Sequence, residues 1–201
     1  MPVPGNNRGF EMFNSTTDSS HNLLDQSDAS LNAPKGGSKT PQYVIKSDDD
    51  SSLFDSDMKD DFAKCAPVLW WEFGGARLIT LDSSGQQSGD GKIVNKDVKI
   101  CMKSGDWNPL LQQWMYEGKR IASLVVMRLA SIEGTLIVIQ EVTFEKCIIR
   151  SYVQSGDTIV FTFCFVVVTD MIKAYDHEGT LVGNVGVKYH VGEVSVESIS
   201  G

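Results

Sequence analysis

Beyond residue 62 the apolar positions fall in short runs rich in Val, Ile, Thr, Phe and Tyr, separated by Gly, Ser, Asp and Glu. Such side chains favour a pleated sheet. Residues 68–73 and 77–81 flank Gly74-Gly75, a hairpin signal. Residues 83–91, rich in Ser, Gly and Gln, predict a loop. Within 92–102, Val98, Ile100 and Met102 alternate with polar or small neighbours. Further strands are predicted over 121–129, 135–143, 146–154, 158–169 and 181–191. The breaks hold Glu133-Gly134, Glu145, Ser155-Gly156-Asp157 and His177-Glu178-Gly179. Breaks this short predict antiparallel neighbours rather than crossovers.

One helix interrupts the strands. Asp106 or Asn108 is the expected cap, and Pro109 suits the first helical position. Leu110, Leu111, Trp114 and Met115 share a face, and Gly118 ends the helix in a left-handed conformation. Several strands are apolar on both faces, notably residues 124–127 and 163–168. One face fills an interior, while the other requires the helix, a second layer or another subunit.

Before residue 62 the pattern dissolves. Residues 1–60 hold ten acidic and five basic side chains, so −5 of the net charge of −8 lies there. The expected organisation is a disordered acidic segment over 1–61 and one domain over 62–201. Three apolar islands, 10–13, 43–45 and 53–54, are able to dock on a partner, to fold back on the domain or to stay as apolar residues in a solvated tail. The Asp48-Asp49-Asp50 run lacks the spaced ligands, central Gly and terminal Glu of a calcium loop.

Composition narrows the function. An acidic chain is repelled by phosphate, which argues against nucleic acid and anionic membranes as partners. No apolar run reaches membrane-spanning length, and the first residues do not read as a signal peptide. Cytoplasmic location is expected, with no direct membrane insertion. Cys65, Cys101, Cys147 and Cys164 form no C-x-x-C pair and read as buried reduced thiols. A Cys164 dyad with His177 or His190 is outweighed by the apolar setting of the cysteine. No phosphate loop, zinc-helix motif or nucleophile elbow is present. The expectation is a protein-binding, non-enzymatic chain with no catalytic, cofactor or metal residues.

From Gly91 onward the order of elements resembles the Hcp family, the ring-forming tail-tube proteins of bacterial type VI secretion. The resemblance is carried by Val98-Lys99-Ile100, the Asn108-Pro109-Leu110-Leu111 helix start and the Glu117-Gly118-Lys119-Arg120-Ile121 exit. Leu136-Ile137-Val138-Ile139, the strand over 142–152 containing Ser151-Tyr152, the apolar strand over 157–163 and Tyr175-Asp176-His177-Glu178-Gly179 complete the set. The resemblance implies a mostly β, antiparallel Hcp-like barrel with one flanking helix; the acidic tail that precedes it departs from the family pattern, in which the first strand starts near the N-terminus. Size, acidity and small-barrel character are similar also to the LvgA-type adaptors of the Dot/Icm type IV coupling complex. Two functions follow from the resemblance. The first is an adaptor or chaperone-like subunit that binds other secretion-system proteins, recruits secreted effectors and lies peripheral to the inner membrane through the secretion complex. The alternative is a tail-tube protein assembling as a homo-hexamer.

The expected partner-binding residues are Trp107, Trp114 and Met115 on and before the helix, and Phe161, Phe163 and Phe165 on the apolar strand. The competing reading for the helix residues is a plug for the barrel.

Overall fold

β-Branched and aromatic runs become strands, and their pairing closes a barrel. A computed structural model describes residues 42–49, 53–56, 58, 62–77, 80–81, 87–88, 93–132, 134–191 and 196–200. The chain divides into two units, Met1–Gly37 and Ser38–Gly201, and the first lies outside the described residues. The described elements are β1 (Tyr43–Ser47), β2 (Ala66–Glu72), β3 (Gly75–Arg77), β4 (Thr80–Leu81), β5 (Gln87–Ser88), β6 (Ile93–Asn95) and β7 (Val98–Lys103). They continue with α1 (Asn108–Glu117), β8 (Arg120–Ile132), β9 (Thr135–Ser155), β10 (Thr158–Cys164), β11 (Val167–Tyr175), β12 (Leu181–His190) and β13 (Val196–Ser200).

All pairings are antiparallel. Six strands close in the order β10, β7, β2, β1, β8, β9, with β9 pairing back to β10. The same sheet runs on from β9 through β11, β12 and β13 as a lateral wing. Strand β9 serves both parts. Its residues Gln140 and Glu145 face β11, and Ile148 and Ser155 face β10. Where the roles change, Lys146 takes φ 57° without ending the strand. The break expected at Glu145 is therefore a kink inside one 21-residue strand. The run over 158–169 is instead divided at Phe165-Val166, where the chain leaves the barrel for the wing.

The barrel begins earlier than residue 62. Tyr43–Ser47 lies between β2 and β8, with Ile45 paired to both Ala66 and Val126. Leu53 and Phe54 are buried in the main core. Two of the three islands thus fold back on the domain, and the third, 10–13, lies outside the described residues. The apolar outer face of β8 finds its second layer here: Val125, Met127 and Leu129 pack with Val44, Phe62 and Cys65.

Beyond Ser47 the β1–β8 edge is continued by side chains. Ser123 Oγ donates to Asp48 Oδ2 at 2.6 Å, and the Ala122 N–H donates to the Asp49 carboxylate. Burial raises the Asp48 pKa, but hydrogen bonds from Ser123 and Lys46 and the Lys46 charge outweigh it, and the net direction is down. A depressed folded pKa contributes stability above the unfolded value and loses it as pH falls through the folded value. Asp48→Asn is therefore expected to flatten the fall in stability as pH drops below 3.8, the ordinary value. Urea unfolding of both proteins down the acid limb checks this. Parallel curves for the two proteins would remove Asp48 from the acid response.

Helix α1 links β7 to β8 and lays Leu111 and Trp114 into the core. Neither expected cap is used. Trp107 holds the cap position without a side-chain bond, and Asn108 Oδ1 turns back to accept from the Gly105 N–H at 3.2 Å. Gly118, at φ 60°, ends the helix as expected, its N–H reaching Met115 O at 3.2 Å.

Candidate functional site

The six residues expected to bind a partner separate into core and surface. Trp114 is 2% exposed, Phe161 and Phe163 are fully buried, and Phe165 is 7% exposed. Phe161 and Phe163 lie two apart on β10 and share its inward face, as strand periodicity requires. Phe144 joins them into one aromatic interior, with ring centroids 5.3 Å from Phe163, 5.1 Å from Phe165 and 5.4 Å from Phe73. Trp114 packs beneath Lys119, whose ammonium stands 3.7 Å from the ring centroid. These side chains hold the barrel together in the present arrangement.

Trp107 and Met115 are half-buried at the edge of that core. The Trp107 indole N–H donates to Lys103 O at 3.2 Å, and its ring lies 6.4 Å from Phe54. A Cβ on Gly105 would stand 2.5 Å from the Trp107 ring, so only glycine permits this close approach. The exposed aromatic side chain of the helix is one the sequence pattern did not single out: Tyr116, 82% exposed. Helical spacing could have singled it out, because it lies two positions beyond Trp114, away from the inward face.

Among the described residues the largest exposed apolar group sits on the wing. Ile172 and Val185 are direct cross-strand partners, 55% and 61% exposed, and Val187 shares their face at 48%. Leu181 and Val182 add exposed side chains at the outer end of β12. The opposite face is polar, with Lys173 and Glu141 paired at 2.8 Å and Lys188 and Glu145 at 3.7 Å. The apolar side chains of the wing continue outward from Val142 and Phe144 of the core and surround one polar pair on the same face, Gln140 Nε2 donating to Asp170 Oδ1 at 2.9 Å.

No thiol is arranged for attack. Burial pushes Cys147 up to about 12, Cys101 up to about 11 and Cys65 upward. Cys164 is half-buried and donates to Ile148 O at 3.7 Å, while His177 faces Glu178 at 3.6 Å in the exposed β11–β12 turn. Among the described residues no three His, Cys, Asp or Glu side chains gather into a metal site, and no helix is long and apolar enough to cross a membrane.

Similarity to known proteins lies in the fold. No family model matches the chain, and no curated protein matches it in sequence. Among solved structures, a type six secretion system protein superposes with a TM-score of 0.65 at 17% identity, over 79% of this chain and 100% of that one. Hcp1 from Salmonella typhimurium gives 0.56 at 17% identity, over 74% of this chain and 93% of that one. Hcp1 from E. coli EAEC 042 gives 0.56 at 12% identity, covering 71% and 96%. The barrel, its helix and its order of strands are therefore those of Hcp-like proteins.

Proposed function

We propose that this chain is a structural subunit of a bacterial protein secretion machine, assembling with copies of itself into a ring of the tail-tube kind. The observation that carries the reading is the fold likeness, which spans the whole of a type six secretion system protein rather than a shared motif. The wing supports it. Val185, Ile172 and Val187 leave an apolar face in water on a single subunit, and burying each such side chain fully is worth about 1.5–3 kcal/mol. A head-to-tail contact that closes on itself covers such a face in every copy.

Light scattering and negative-stain microscopy of the full chain test the proposal. The expected result is a closed hexameric ring, reduced to monomers by Val185→Asp. A monomer at every concentration overturns the ring and favours the second reading, an effector-recruiting adaptor. That reading is supported by sequence divergence, with 17% identity to two of the structures it resembles in fold, and by the ten acidic residues among 1–60. Cytoplasmic residence, secretion-system partners and a type IV coupling role belong to that second reading.

A further inference from the structure

The outer wall of the barrel carries a half-open groove of about 540 Å³, lined by Asp49, Arg120, Ile121, Ala122, Lys146, Ile148 and Val166. It lies where the β8–β9 ladder is interrupted. Ile121 pairs with Cys147 and Ser123 with Glu145, but the Ala122–Lys146 pair between them is skipped. Lys146 is the one described non-glycine residue at positive φ, and the Ala122 N–H bonds the Asp49 carboxylate. Strain of this kind persists where the surrounding structure enforces it, and it concentrates at functional sites.

The charge of the groove is opposite to that of the chain. Arg120 and Lys146 stand on its wall, and neither is ion-paired to a described residue, although five Lys or Arg ion pairs occur elsewhere among those residues. Asp49 is the one carboxylate among the described lining residues; it accepts from the Ala122 N–H and keeps its charge, so two cations stand against one anion. A local positive excess thus persists on a chain of net charge −8. Its floor is aliphatic, formed by Ala122, Ile148 and Val166, the last of these 41% exposed. Two cations around an aliphatic floor complement a chain that alternates carboxylate and branched apolar side chains. The volume falls in the range of about 300–1,000 Å³ common for ligand sites and accepts a few such side chains.

We infer that this groove binds an extended acidic peptide segment of a partner protein, with carboxylates on Arg120 and Lys146 and an aliphatic side chain on Ala122, Ile148 and Val166. The inference does not depend on ring assembly, since the groove is complete within one subunit.

Fluorescence anisotropy of the full chain with a short labelled peptide of alternating aspartate and valine tests it. Binding is expected, weakening as salt rises. Arg120→Gln and Lys146→Gln are each expected to lower affinity about fivefold, as for partly exposed charge pairs. A peptide with asparagine for aspartate, and one with serine for valine, are each expected to bind more weakly. Circular dichroism of the variants confirms an intact fold. Absence of binding, equal binding of the asparagine peptide, or indifference to both substitutions overturns the inference. So does capture of the protein by phosphatidylserine vesicles in place of peptide, or self-association that the two substitutions abolish, which assigns the groove to a second copy.

Discussion

Phe144→Ala is expected to lower the unfolding free energy by about 3–5 kcal/mol, the range for truncating a fully buried aromatic side chain. Phe144 is fully buried, and its ring meets Trp71, Phe73, Phe163 and Phe165 at centroid separations of 6.4, 5.4, 5.3 and 5.1 Å. Its backbone stands between Leu124 of β8 and Val168 of β11, where barrel and wing share a strand. Removing the ring opens a cavity that β-ladders on both sides prevent from collapsing. Domains are commonly stable by only about 5–15 kcal/mol, so the variant is expected to be largely unfolded in mild urea. Equilibrium urea unfolding followed by tryptophan fluorescence checks the figure. Phe144→Leu, which keeps much of the volume, is expected to lose clearly less. A loss below about 1 kcal/mol for alanine would mean that the interior relaxes around the gap and the four rings do not converge on one support.

The fold was legible in the sequence wherever local pattern and tertiary role coincide. The Pro109 helix and its Gly118 stop fall in place because capping and periodicity act over a few residues. Strand β1 was hidden for the converse reason. Tyr43-Val44-Ile45 is too short to signal against Ser and Asp flanks, and its partners Pro67 and Met127 lie far along the chain. Strand β13, Val196–Ser200, carries Glu and two Ser and is recruited by pairing with β12 rather than by apolar character. Lys146 shows a further limit, since a polar pair after a strand reads as an end when the backbone merely kinks. The surfaces were less legible still. Phe161, Phe163 and Trp114 have the composition of an interface and of a core alike, and only closure of the barrel decides between the two. In β12, Val and Gly occupy both faces, so alternation did not reveal that Val185 and Val187 point to solvent. The Arg120–Lys146 groove joins residues from two strands around a skipped pair, which no local motif announces.

Trp114→Ala is expected to cost about 3–5 kcal/mol, and Tyr116→Ala less than about 0.5 kcal/mol, although both remove an aromatic ring from the same helix. Helix α1 has only 10 residues, and a helix that short is marginal in water without tertiary contacts. Leu111 and Trp114 supply its fully inward contacts, and Lys119 closes over the Trp114 ring at 3.7 Å. Truncating Trp114 therefore removes the anchor together with the ring that the cation covers. Amide exchange is expected to quicken across Asn108–Glu117 more than across β9, whose hydrogen bonds run to three neighbouring strands. Tyr116, 82% exposed, has no packing to lose. The pair of variants separates two roles that composition cannot. A residue that acts through stability loses partner binding only in proportion to the unfolded fraction, and binding returns when the fold is restored by stabilising salts. A residue that touches the partner loses binding at full stability. Trp114 is expected to behave in the first way. An unchanged urea midpoint for Trp114→Ala, with partner binding lost, would move this tryptophan from the core to the interface.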